Sequence, residues 1–94
     1  MEKLTNEEIA EQLTSLDGWE YSEDAIYKHF VFADFKETLA IMMGIGMMAE
    51  GMNHHPEWTN VYNKLSIKLT THDEGGVTMK DIGLAKKIEE IIKQ

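Results

Sequence analysis

Hydrophobic positions change their period several times along this chain, and each change marks an element. Ile9, Leu13 and Leu16 recur at spacings of four and three, one apolar face of a short helix that ends before Gly18. Thr5 with Glu8 forms a capping-box pattern at its start, and Leu4 with Ile9 occupies the staple positions around it. Trp19 to Ser22 and Ala25 to Phe32 are rich in aromatic and β-branched residues, and the Ser22-Glu23-Asp24 turn between them predicts a hairpin. Asp34 with Glu37 is a second capping box, opening a helix that runs to about Asn53. Val61 to Thr71 then alternates as one long, half-buried strand. Val61, Leu65, Ile67 and Leu69 take one face, and Tyr62, Lys64, Ser66, Lys68 and Thr70 take the other. Asp73-Glu74-Gly75-Gly76 is a turn into a short strand at Val77. Thr78 caps a last helix whose buried stripe is Leu84, Ala85, Ile88, Ile91 and Ile92. The order is α-β-β-α-β-β-α, an α+β domain with helices on one face of an antiparallel sheet.

The second helix breaks the amphipathic rule. From Leu39 to Ala49 it is apolar on every side, so one face can take the sheet while the other needs a helix or another subunit. Five methionines and three glycines in this helix suit close approach and repacking. A core helix of a monomer is the plainer alternative. The run is too short to span a bilayer and is interrupted by Gly44 and Gly46.

Composition narrows the function. Ninety-four residues make one domain, 1–94, with 43% apolar and 28% charged residues. Seventeen acids against nine bases give a net charge of -8, ill suited to gripping a phosphate backbone, so no direct nucleic-acid partner is expected. The absence of cysteine removes disulfides and thiolate metal sites and fits a reducing compartment. No basic, apolar leader is legible at the start, and a soluble cytoplasmic domain is the expectation.

Candidate chemistry gathers at Glu50-Gly51-Met52-Asn53-His54-His55-Pro56-Glu57-Trp58. Pro56 pushes His55 toward extended backbone, so the helix stops here, and two adjacent rings in an extended segment point to opposite sides. Imidazole titrates nearest neutrality, which suits proton transfer. Glu50 and His54 stand four apart at the helix end, so the carboxylate reaches the first ring; an exposed ion pair is the bland alternative. His72 ends the long strand on its polar face, where a solvated histidine is the default. Asp81 is the acidic member of a capping box with Thr78, yet the helix wheel turns it inward in line with Ala85, Ile88 and Ile92. Trp58 is either core or a flat cleft wall, and His29 has no local partner. A three-histidine metal site is the rival, but the spacing of familiar zinc motifs is missing. Nucleophile elbow, phosphate loop and dinucleotide fingerprint are also missing.

Taken together these residues resemble the pterin-4a-carbinolamine dehydratase family, also known as dimerisation cofactors of a homeodomain transcription factor. The match runs through Glu50-x-x-x-His54-His55-Pro56-Glu57-Trp58, Asn60-Val61-Tyr62-Asn63-Lys64, Thr71-His72, Gly76 and Asp81-Ile82-x-Leu84-Ala85, with Gly18-Trp19 matching the start of the first strand. It covers the whole domain. One departure is Asn53, where an aspartate is expected in animal members.

The resemblance implies a four-stranded antiparallel sheet with three helices on one face, assembled as a homodimer or homotetramer through helices. It implies dehydration of 4a-hydroxytetrahydropterin to the quinonoid dihydropterin, in pterin recycling, with no cofactor and no metal. His54, His55 and His72 match the family's active-site histidines, and Glu50 and Asp81 its acidic residues. His55 and His72 are the expected acid–base pair; His54 positions the substrate ring, with Trp58 as its flat wall. The alternative is a non-catalytic protein partner, or coactivator, acting through the apolar helix. Loss of any of the three histidines would have favoured that reading, and all are present.

Overall fold

The computed structural model describes residues 2–93. Its elements are α1 (Asn6–Leu13), β1 (Glu20–Ser22), β2 (Ala25–Val31), α2 (Phe35–Met52), β3 (Glu57–Val61), β4 (Lys64–Leu69) and α3 (Met79–Ile92), with one 3-10 turn at His72–Glu74 before α3. The strands form one antiparallel sheet in the order β1-β2-β4-β3. The fold is therefore the expected α+β arrangement, with the elements in the expected order.

Side-chain alternation decides what the sheet faces. Ile26, Phe30, Leu65, Ile67 and Leu69 enter one core with Ile9 of α1, Ile45 and Ala49 of α2, and Ile82, Leu84, Ala85 and Ile88 of α3. The opposite face carries Tyr27, His29, Lys64, Ser66 and Lys68, paired across strands as Tyr27 with Lys68 and His29 with Ser66. Lys28 belongs to the core side by parity. It reaches the edge instead, where Nζ binds the Glu89 carboxylate at 2.8 Å and stands 4.9 Å from the Phe30 ring centre. Thr5 with Glu8 and Thr78 with Asp81 form complete capping boxes. At α2 the Asp34 carboxylate caps through the amide of Glu37, but the Glu37 carboxylate takes the Ala33 amide at 2.9 Å instead of that of Asp34, so the expected second box is only half formed.

The third and fourth strands depart from expectation. Val61 to Thr71 is not one strand: Tyr62 and Asn63 turn the chain, and Val61 pairs directly with Lys64. A two-residue turn reverses the parity of the chain, so Val61 lies on the open face and is exposed while Leu65 is buried. Tyr62 takes the left-handed conformation that this turn needs, at φ 52°, and Asn63 Nδ2 donates to the Phe32 carbonyl at 2.9 Å. At Val77 only one bridge survives, between Thr71 and Gly76, and Val77 is a core residue without a strand. The sheet still has four strands because residues 57–60, ahead of the expected run, join Val61 as β3, while the run itself supplies β4. In the other hairpin Glu23 (φ 50°) and Asp24 (φ 65°) are both left-handed, the primed turn that matches strand twist.

Among the described residues no helix is long and apolar enough to cross a membrane. On α2 the outer face stays bare: Met43 is 63% and Met47 74% exposed, with Phe35 and Leu39 partly exposed beside them.

Candidate active site

The site is made where elements end. Helix α2 stops with Asn53 in the left-handed conformation (φ 53°, ψ 39°). The Asn53 amide donates to the Glu50 carbonyl at 3.1 Å and the His54 amide to the Ala49 carbonyl at 3.2 Å, the paired bonds of a Schellman turn. Asparagine tolerates this backbone better than most residues, which gives Asn53 a structural reason to be here. The turn swings His54 off the helix axis toward the start of α3. There its Nε2 meets Asp81 Oδ1 at 2.6 Å, and its side chain is only 11% exposed.

Asp81 is fully buried, as the helix wheel required. Its second oxygen, Oδ2, accepts the Thr78 amide at 2.9 Å and the Thr71 hydroxyl at 2.8 Å. An ionised carboxylate can only accept, so Nε2 of His54 carries a proton, and Nδ1 has no protein partner among the described residues. One side chain thus caps α3 and orients a ring 27 residues away.

The other two histidines repeat the pattern at the surface. His55 Nε2 donates to Glu50 Oε1 at 2.8 Å, and His72 Nε2 donates to Glu57 Oε1 at 2.8 Å. Their side chains are 58% and 78% exposed, so these pairs add at most about 1 kcal/mol each to stability. In all three rings the carboxylate takes Nε2, and among the described residues none has a protein partner at Nδ1. The rings share one concavity of about 330 Å³, bordered by Asn53, His54, His55, Thr70, Thr71, His72, Asp73 and Lys80. That is the lower end of the size of small-molecule sites.

Three expectations need correction. Glu50 holds His55 rather than His54, because the i, i+4 geometry lapses once Asn53 leaves the helix. His72 does not end a strand; it opens a 3-10 turn after β4, and its partner is Glu57. Trp58 does not border the histidine cavity. It lies on the core side of β3, where a β-carbon added at Gly46 of α2 would sit 3.7 Å from its Cη2. Glu57, Thr71 and Lys80 were missed. For Glu57 and Thr71 the available signal was adjacency to the histidine motif; for Lys80 it was its place inside the Thr78–Asp81 box. His29, left without a role, binds Ser66 Oγ through Nδ1 at 2.7 Å on the open face of the sheet. Among the described residues no three His, Asp or Glu side chains are grouped to hold a metal ion.

A one-sided α+β domain with three carboxylate-oriented imidazoles around one hollow has the equipment of a small acid–base enzyme. Residues 2–91 match the model of the family described as pterin 4 alpha carbinolamine dehydratase. Proteins named as pterin-4-alpha-carbinolamine dehydratases are 47% identical in Christiangramia forsetii, over 99% of this chain and 96% of that one, and 46% identical in Sulfurisphaera tokodaii, over 98% and 99%. A solved structure from Brucella melitensis, described as a transcriptional coactivator/pterin dehydratase, superposes with a TM-score of 0.92 at 42% identity, covering 95% of this chain and 97% of that one. The chain belongs to the pterin-4a-carbinolamine dehydratase family, and with it to the hydro-lyases.

Proposed function

We propose that this protein dehydrates a 4a-hydroxytetrahydropterin, the spent form of a hydroxylase cofactor, and so serves pterin recycling. Hydroxide leaves C4a, the proton leaves N5, and the products are the quinonoid dihydropterin and water. Nothing is oxidised or reduced overall, so the step needs an acid at the departing oxygen and a base at the ring nitrogen. The observation that carries this reading is the shared hollow bordered by three imidazoles. His54 is clamped and nearly buried, which suits positioning of the pterin ring. His55 and His72 are open to the hollow's solvent side with Nδ1 unpartnered by protein, which suits the acid–base pair. Each contributes about two to four powers of ten in rate if it transfers a proton in the transition state. Glu50 and Asp81 act through the rings they hold. The test is a dehydration assay on purified protein with and without chelator: turnover unaffected by chelator is expected, and activity lost to chelator and restored by zinc would replace this mechanism with a metal-dependent one.

The bare α2 face supports assembly into a homodimer or homotetramer. The same face favours a second reading, a protein-binding or coactivator role, which a catalytically silent wild-type protein would bring forward. A cysteine-free chain suits the cytoplasm.

A further inference from the structure

We propose that Thr71 is a positioning residue for His54, acting through Asp81. Proton counting fixes the direction of every bond in this network. Asp81 Oδ2 can only accept, so the single Thr71 hydroxyl proton goes to it, at 2.8 Å. The contact between Thr71 Oγ1 and Thr78 Oγ1, 2.9 Å, is then donated by Thr78. The Thr78 oxygen in turn accepts the Lys80 amide at 3.2 Å. The chain runs one way, from the first turn of α3 through two hydroxyls into the carboxylate, and each donor polarises the next. Thr71, Thr78 and Asp81 are all buried, and among the described residues no buried side-chain polar atom is left without a partner.

The Thr71 hydroxyl is surplus to the helix cap. A capping box needs only the Thr78 amide on Oδ2, and that bond is present at 2.9 Å. Thr71 comes from another part of the chain, held by paired backbone bonds to Gly76 of 3.0 and 3.3 Å. The terminal torsion of an aspartate is soft, so a second donor on Oδ2 is what fixes the plane in which Oδ1 meets His54. Thr71 is also the peptide neighbour of His72 and borders the same hollow. One residue therefore ties the orientation of the buried ring to the backbone that presents an exposed one.

Only the kinetic arm of the test rests on the dehydratase reading. Thr71→Val keeps the shape and removes the hydroxyl; Thr71→Ser keeps the hydroxyl. Long-range ¹H–¹⁵N spectra of the histidine rings report the His54 tautomer, which should be the Nε2–H form in the wild type and in Thr71→Ser. In Thr71→Val the carboxylate still faces Nε2 but has lost the donor that fixes its plane, so the His54 Nε2–H proton should exchange faster with solvent, and kcat should fall about tenfold or more, with KM changed by less than about twofold. Thr71→Ser should restore both. A Thr71→Val protein that loses stability but keeps the wild-type Nε2–H exchange and kcat overturns the proposal. If Thr71→Val does not fold, the wild-type spectrum decides. A slowly exchanging Thr71 hydroxyl proton and an Nε2–H His54 are required, and the absence of either refutes the assignment. A wild-type protein without dehydratase activity would remove the proposed function and leave the ring-proton result standing.

Discussion

Replacing Asp81 by asparagine separates its two duties, because an amide can perform one and not the other. The carboxylate receives two donors on Oδ2 and one on Oδ1. Asparagine offers one accepting oxygen and one donating amino group. Placing the amino group toward Thr78 would set N–H against N–H in a buried site and leave an unsatisfied amide, at about 1–3 kcal/mol. The oxygen therefore stays on the Thr78 and Thr71 side, and the cap survives. The amino group then faces His54 Nε2, which must become an acceptor, so the ring's proton moves to Nδ1 and the tautomer inverts. The fold loses charge assistance on three bonds but keeps their number, a loss of about 1–2 kcal/mol in all. For a domain of this size that lowers Tm by about 4–8 °C per kcal/mol. Thr78→Ala is the matched control: it costs about 0.5–2 kcal/mol through the cap and leaves Asp81 on His54. Urea melts should place the two variants close together. Steady-state dehydration should not. Asp81→Asn is expected to lose about a hundredfold in kcat, since a reoriented ring misplaces the reacting groups, while Thr78→Ala stays within about threefold of wild type. Equal turnover in the two variants, or turnover that simply tracks stability, would return Asp81 to the role of a helix cap.

Alanine at His55 or at His72 should cut turnover by about a hundredfold or more with little change in melting, because both rings are exposed and their ion pairs weak; wild-type rates in both would mean that neither transfers the proton. Met43→Glu and Met47→Glu stand at exposed positions and should cost the protomer less than about 0.5 kcal/mol. Buried in an interface, the same charge costs several kcal/mol per copy, so light scattering should fall from a multiple of 10.8 kDa to the protomer mass; a wild-type protomer mass at micromolar concentration refutes the assembly outright. Hydrogen bonding to Glu20, directly across the β1–β2 ladder, and then that carboxylate's charge hold the Tyr27 phenol above its ordinary pKa of 10.0. The native state thus favours the protonated phenol, and any stability it brings is present below the ordinary value and lost as pH rises through the displaced one. Ring NMR of Tyr27 should show the late titration, and Glu20→Gln should bring it earlier; an unmoved midpoint would remove Glu20 as the cause.

What could be read from the chain was whatever an element's own period controls. The Thr5, Asp34 and Thr78 caps, the stripe of α3 and the inward turn of Asp81 are local consequences of a 3.6-residue repeat, and all hold in three dimensions. The β3–β4 hairpin was hidden because its turn, Tyr62-Asn63, contains no glycine or proline and the alternation runs straight through it. Pairings within the site failed for a related reason. Spacing arguments apply while an element lasts, and these residues stand where elements begin or stop. His54 and His55 lie just past α2, Glu57 opens β3, His72 follows β4, and Asp81 sits in the first turn of α3. A helix gave Glu50 to His54 on paper; the left-handed residue at Asn53 gave it to His55 instead. The bond from His54 to Asp81 spans 27 residues and three intervening elements, which no periodicity encodes. This is why the motif places the three histidines around one hollow while geometry read from the sequence misassigned the partner of Glu50. Ends of elements are also where backbone donors and flexible turns can be recruited, so three small carboxylate–imidazole units could be built here without disturbing the apolar core between sheet and helices.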